Sequence, residues 1–170
     1  MAASAEDRLM DWLRDVHAAE EQAASMLTTT ARRIVNYPEL KERLEQHIGE
    51  TRRHEKLVRG CIERRGRDIS PLKDMSAKMV AVGQAVSGLF VGDEVMKASL
   101  AAYTFEEMEI ASYRILISAA EHVGDSETAR VCQEILEEEQ AMADWLDSNI
   151  PKLTEQYLAR EETVGVTAKH

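Results

Sequence analysis

Long stretches without a helix breaker constrain this chain more than any other feature. Only 3 prolines and 8 glycines punctuate 170 residues, and the segments between them are rich in Ala, Glu, Leu and Met, which favour helix over strand. Apolar side chains recur three or four apart along these segments, the repeat of one helix face. No run alternates as a strand would. The chain is therefore predicted to be all-α.

Four long helices can be placed. The first runs from about Ala5 to about Val35, with Leu9, Leu13, Val16, Ala23, Leu27, Ala31 and Ile34 in phase. Pro38 suits the first turn of the second, whose stripe reads Leu40, Leu44, His47, Glu50/Thr51, His54, Leu57/Val58 and Cys61 before Gly66. A shorter amphipathic piece, about Met75 to Phe90, follows a linker. The third helix spans about Glu94 to His122, with Leu100, Tyr103, Glu106, Ile110, Tyr113 and Ile117 inward. The fourth begins near Ser126, where Ser126 and Ala129 supply half a capping box. It carries Val131, Ile135, Glu138, Met142 and Trp145 inward and closes at Asn149 and Pro151. A tail from about 155 to 170 is expected to fray. One domain over 1–170, with a core of about 5–150, results: a four-helix bundle with one crossover connection and a short additional helix, the ferritin-like variant of that architecture.

Each long helix places a carboxylate where the apolar rhythm calls for a hydrophobe: Glu20, Glu50, Glu106 with Glu109, and Glu138. A buried carboxylate without a partner costs several kcal/mol or gives up its charge. Several converging on one interior need cations, protons or basic partners. On the second helix His47, Glu50 and His54 fall at roughly 0°, 300° and 340°, so they share one sector. Carboxylates with imidazole suit iron or manganese, and a Glu pair spaced like Glu106 and Glu109 can bridge two cations. His47 could stand in as the nitrogen ligand, and Glu139 replaces Glu138 if the fourth helix is rotated. His17 is expected to be exposed or to support a ligand. Tyr103 and Tyr113 could hydrogen-bond a ligand carboxylate or donate an electron, but each is expected to be a packed Tyr with a satisfied hydroxyl. Trp12 and Trp145 are expected to be packing anchors.

The rest of the sequence narrows the function by exclusion. With 44% hydrophobic and 31% charged residues the chain reads as a soluble globular protein. A net charge of −10 argues against a general nucleic-acid or anionic-membrane binder. The most apolar stretch, Met79 to Gly92, is interrupted by Gln84 and Ser87 and is shorter than the roughly 20 residues of a membrane span. The N-terminus lacks the apolar region of a secretory signal. Cys61 and Cys132 match no zinc spacing and read as reduced packing thiols, which fits the cytoplasm. No nucleophile elbow, phosphate loop or nucleotide fingerprint is present.

Four segments carry a resemblance to a known family: HAAEEQ at 17–22, HIGETRRH at 47–54, FEEMEIASY at 105–113 and LEEEQ at 136–140. Together they resemble the YciE/YciF-type ferritin-like stress proteins over roughly Ala5 to Asn149, and the third segment is the most specific. The resemblance implies a small dimeric four-helix bundle, induced under stress, with a carboxylate-rich metal site. It implies Glu20, Glu50, Glu106, Glu109 and Glu138 as the inward acids and His54 as the nitrogen ligand. The Glu106/Glu109 pair is also similar to the third helix of rubrerythrin-like peroxidases. Two departures are visible: Glu50 and His54 are four apart rather than three, and Met142 stands where a second His would.

Two functional expectations follow. In the first, Glu20, Glu50, His54, Glu106, Glu109 and Glu138 hold two metal ions, iron ahead of manganese, that react with peroxide or oxygen in a peroxidase- or ferroxidase-type reaction. Its electron donor is unidentified. In the second, a non-catalytic helical stress or interaction protein has kept the fold without a working metal site.

Overall fold

A computed structural model of the chain describes residues 3–67, 69, 94–163 and 165–166. Among them are four helices and no strand: α1 (Ala5–Arg33), α2 (Pro38–Arg64), α3 (Glu94–His122) and α4 (Ser126–Glu161). The all-α four-helix reading holds. The expected helix at about Met75 to Phe90 lies outside the described residues.

Ion pairs between helix ends fix the directions. Arg67 and Arg65 at the end of α2 meet Asp7 and Glu6 at the start of α1. Arg64 and Arg65 also meet Asp125, in the turn between α3 and α4. At the other end Lys152 of α4 bonds Glu39 of α2. Thus α2 and α3 run one way and α1 and α4 the other. The end of α2 and the start of α3 lie at opposite ends of the bundle, which is the crossover arrangement.

Local chemistry sets the helix starts and stops. Ser4 caps α1 in a full capping box: its hydroxyl accepts from the Asp7 N–H, and its own N–H donates to the Asp7 carboxylate. Pro38 occupies the first turn of α2. Gly124 ends α3 at φ +75°, a conformation a side chain would resist. The cap of α4 is Asp125 rather than Ser126, because its carboxylate reaches the N–H of Thr128 at 3.1 Å.

The predicted stop at Pro151 does not occur, and α4 continues to Glu161. A mid-helix proline costs about 3 kcal/mol through a lost hydrogen bond and a clash. Beyond it, however, Leu153 and Tyr157 are buried against Tyr37 and Leu40. Burying two such side chains contributes about 1.5–3 kcal/mol each, which outweighs the proline. The region from 155 to 161, expected as frayed tail, is thus helix.

The buried residues form two apolar clusters. Leu9, Leu13, Val58, Ile62, Leu116 and Ile135 centre one, and Leu27, Leu40, Leu44, Ala102, Met142 and Leu146 centre the other. Cys61 and Cys132 are buried free thiols. Trp145 packs partly buried on the second cluster. Trp12, expected as an anchor, is 40% exposed, and Leu100, read as inward, is 54% exposed. No helix among the described residues is long and apolar enough to cross a membrane.

Asp125 joins three elements at one end of the bundle, and its removal should be costly. Burial works against its charge, but the Thr128 hydroxyl and N–H and the two guanidinium groups outweigh it and hold its pKa below the ordinary carboxylate range. A depressed folded-state pKa stabilises the fold fully above the unfolded value of about 3.9, and that contribution is lost as pH falls toward the folded value. Asp125→Ala should therefore lower stability at pH 7 by about 2–4 kcal/mol. The deficit against the unsubstituted chain should narrow below about pH 4, as read by urea unfolding at both pH values.

Candidate metal centre

Between the two apolar clusters lies a layer of acids and imidazoles contributed by all four helices. Glu20 comes from α1, His47 and His54 from α2, Glu106 and Glu109 from α3, and Glu139 from α4. All six are at most 2% exposed. On α2, Leu40, Leu44, His47, Thr51, His54, Val58 and Cys61 are all buried, at steps of alternately four and three. That is the inward seam of two packed helices. Steps of four and three likewise link Ala102, Glu106, Glu109, Tyr113 and Leu116 on α3, and Cys132, Ile135, Glu139, Met142 and Leu146 on α4.

Five of the six side chains form two overlapping triads, and Glu109 belongs to neither. Glu20, His54 and Glu139 each bring a ligand atom within 4.8 Å of the others, and so do His47, Glu106 and Glu139. His54 Nδ1 is 2.7 Å from Glu139 Oε1 and 3.7 Å from Glu20 Oε2. His47 Nε2 is 3.1 Å from Glu106 Oε2 and 3.5 Å from Glu139 Oε2. Glu139 is shared, one oxygen facing each imidazole. The two rings lie 6.5 Å apart between centroids.

Whether these groups suit a cation can be tested on their hydrogen bonds. Seven buried side-chain atoms among the described residues make no hydrogen bond of good geometry: Glu20 Oε2, His47 Nε2, His54 Nδ1, Glu106 Oε2, Glu109 Oε1 and both oxygens of Glu139; six of them meet one another in His–carboxylate contacts of 2.7–3.7 Å, and Glu109 Oε1 is in none of these. Every one belongs to this layer. Buried polar atoms are ordinarily paired, because leaving one unpaired costs about 1–3 kcal/mol. Hard oxygens with imidazole nitrogen are the donor set of iron or manganese, so the residues fit such ions.

Each imidazole is held from behind by a carboxylate. His47 Nδ1 is 2.7 Å from Glu50 Oε2, which also accepts from Arg43 at 3.0 Å, while Gln46 donates to Glu50 Oε1 at 2.8 Å. His54 Nε2 is 2.8 Å from Glu138 Oε2, and Arg53 donates to Glu138 Oε1. Such an outer partner fixes which ring nitrogen faces a metal. The Glu50 pKa falls to about 2, led by its bond to His47, with burial opposing and Arg43 assisting.

Inside the layer the electrostatics differ. Burial, followed by repulsion from Glu20, Glu139 and Glu106, raises the Glu109 pKa well above the carboxylate range. Burial raises Glu139 to about 7, with its contact to His54 opposing. Burial alone would make His47 and His54 neutral. Contacts to Glu106 and Glu50 for the first, and to Glu139 and Glu20 for the second, override it and raise both to about 10. Without a metal, protons balance part of the charge.

Of the residues singled out from the sequence, Glu20, His54, Glu106 and Glu109 are brought together. Glu50 and Glu138 are placed behind the histidines instead, with side chains 19% and 30% exposed. His47 and Glu139 occupy the inward positions. Each acid is displaced for the same reason: it sits one helical step off the seam, on the flank of a wide polar sector. His17, expected exposed or supporting, is 3% exposed and bonds Glu55 at 2.9 Å. Tyr113 donates its hydroxyl to Glu20 Oε1.

Comparison with known proteins agrees with this architecture. The family described as "Domain of unknown function (DUF892)" matches residues 4–159. The chain belongs to that family. It is 31% identical to Protein YciF of Escherichia coli over 162 residues, covering 88% of this chain and 95% of that protein. The crystal structure of the E. coli stress protein YciF superposes with a TM-score of 0.78 at 25% identity, over 88% of this chain and 96% of the other. A solved protein from Xanthomonas campestris pv. campestris gives a TM-score of 0.81 at 36% identity, over 94% of this chain and 100% of that one. The YciE/YciF-type family and the helical bundle are thereby shown.

The unpaired acids should weaken the cation-free fold. Glu109 has no neighbour that compensates its charge and makes the clearest case. Glu109→Gln should make the chelator-treated protein about 1–3 kcal/mol more stable at pH 7 in urea unfolding. An unchanged or lower stability would show that Glu109 is already compensated.

Proposed function

We propose that this chain is a ferritin-like dinuclear metal protein, iron ahead of manganese, that reacts with peroxide or oxygen in stress defence. The observation that carries the reading is the convergence in one layer of seven donor atoms, on six buried side chains, that make no hydrogen bond of good geometry. Arg43 and Arg53 are engaged with the outer carboxylates Glu50 and Glu138. The E. coli relative named as a stress protein supports the physiological setting.

One cation would take His54 Nδ1, Glu20 Oε2 and Glu139 Oε1. The other would take His47 Nε2, Glu106 Oε2 and Glu139 Oε2. When bound, the pair supplies Lewis acidity and the electrons that reduce a small oxidant. The chain's own part is positional. Glu50 and Glu138 orient the imidazoles through their outer nitrogens. Glu139 ties the two positions together from α4, and the apolar clusters on both sides exclude water. Low dielectric strengthens every attraction between the acids and a cation.

The test uses protein purified without a metal-affinity tag, stripped by chelator and titrated anaerobically with iron(II). Two ions per chain should bind, and saturation should raise the melting temperature, because a ligand that binds only the folded state stabilises it. Glu139→Ala should weaken binding at both positions, whereas Glu50→Ala should weaken it about 10–100-fold through loss of an outer partner. Peroxide added to the loaded protein should be consumed. No uptake and an unchanged melting temperature would defeat the reading.

A further inference from the structure

The two oxygens of Glu20 have different surroundings. Oε1 accepts the Tyr113 hydroxyl across the α1–α3 contact. Oε2 has no partner and faces His54 Nδ1 at 3.7 Å. Tyr113 is fully buried and lies four residues beyond Glu109 on the inward seam of α3. Glu139 differs, since no hydroxyl holds either of its oxygens and they face different imidazoles, Oε1 at 2.7 Å from His54 Nδ1 and Oε2 at 3.5 Å from His47 Nε2.

A carboxylate with two free oxygens can chelate one cation and fill two of its coordination places. Iron and manganese in such sites take about six ligands. The His54 side offers three protein atoms, His54 Nδ1, Glu20 Oε2 and Glu139 Oε1. Freeing Glu20 Oε1 would add another oxygen where space for a small molecule is needed.

We propose that Tyr113 is a positioning residue: by holding Glu20 Oε1 it limits Glu20 to one metal-binding oxygen and reserves a coordination place on the His54-side cation for a small exogenous molecule. This rests on the dinuclear metal reading above. Tyr113 need not touch that molecule, because it acts through Glu20.

Cobalt(II), whose visible absorption reports its coordination, is the metal for the test, and azide is the small ligand. Tyr113→Phe keeps the ring and removes the hydroxyl. It should still bind two cobalt ions per chain, at least as tightly as the unsubstituted chain, while its azide dissociation constant rises about tenfold, the equivalent of one hydrogen bond. In a Glu20→Ala background the same substitution should leave azide affinity unchanged. Equal azide affinity in the Phe variant and the parent overturns the role of Tyr113. So does a parallel loss of cobalt affinity and melting temperature, which would mark a structural part only. If the parent takes up no cobalt at all, the metal reading itself fails and this inference falls with it.

Discussion

Four carboxylates in the middle of a bundle, at most 2% exposed and flanked by apolar clusters, set the terms for the rest of this structure. Glu20, Glu106, Glu109 and Glu139 repel one another and have lost their water. Desolvation of even a paired charge costs several kcal/mol. A fold carries such a layer only if the surrounding packing is sufficient, and here long helices with nearly uninterrupted apolar seams supply it above and below. The cation-free state answers the remaining charge with protons, on imidazoles held near pKa 10 and on carboxyls raised by burial. Protons and cations compete for the same lone pairs, so the groups that make the layer tolerable are also those a metal would use.

A second ring of charges keeps this layer directional. Glu50 is held by Arg43 and Gln46, and Glu138 by Arg53, so neither is free to swing inward at no cost. Each spends its remaining capacity on the outer nitrogen of a histidine. Outer guanidinium groups therefore neutralise the outer acids, and the inner acids are left to the imidazoles. No Arg among the described residues pairs with an inner acid, so the contacts of Glu20, Glu106 and Glu139 within the layer are to His47 and His54.

Much of this was legible before the coordinates. Sparse glycine and proline with helical periodicity were sufficient for four helices, and acids on the apolar stripes marked the polar layer. The strict alternation of four and three was also present in the sequence. Followed through Leu40, Leu44, His47, Thr51, His54 and Val58 it places His47 inward and Glu50 outside, and through Cys132, Ile135, Glu139, Met142 and Leu146 it selects Glu139 over Glu138. A looser stripe more than 100° wide admits both neighbours and cannot separate them. Other features were not local properties at all. Helix persists through Pro151 because Leu153 and Tyr157 find partners on another part of the chain, and Asp125 outcompetes Ser126 as a cap because Arg64 and Arg65 also bind it.

The same seam explains how the centre departs from a Glu-x-x-His repeat on two helices. Counting three from Glu139 leads to Met142, a fully buried thioether in the apolar cluster. Both imidazoles come instead from α2, seven residues apart, which separates their backbones by about 10.5 Å along the axis. Their ring centroids are only 6.5 Å apart, so the side chains lean toward each other. Opposite outer nitrogens make this possible: His47 is held at Nδ1 and presents Nε2, whereas His54 is held at Nε2 and presents Nδ1. One rigid helix thus fixes both nitrogen donors relative to each other, and Glu139, with one oxygen toward each, closes the centre from α4. The separation of the two triads is accordingly set by α2 and one shared carboxylate rather than by the meeting of two symmetric halves.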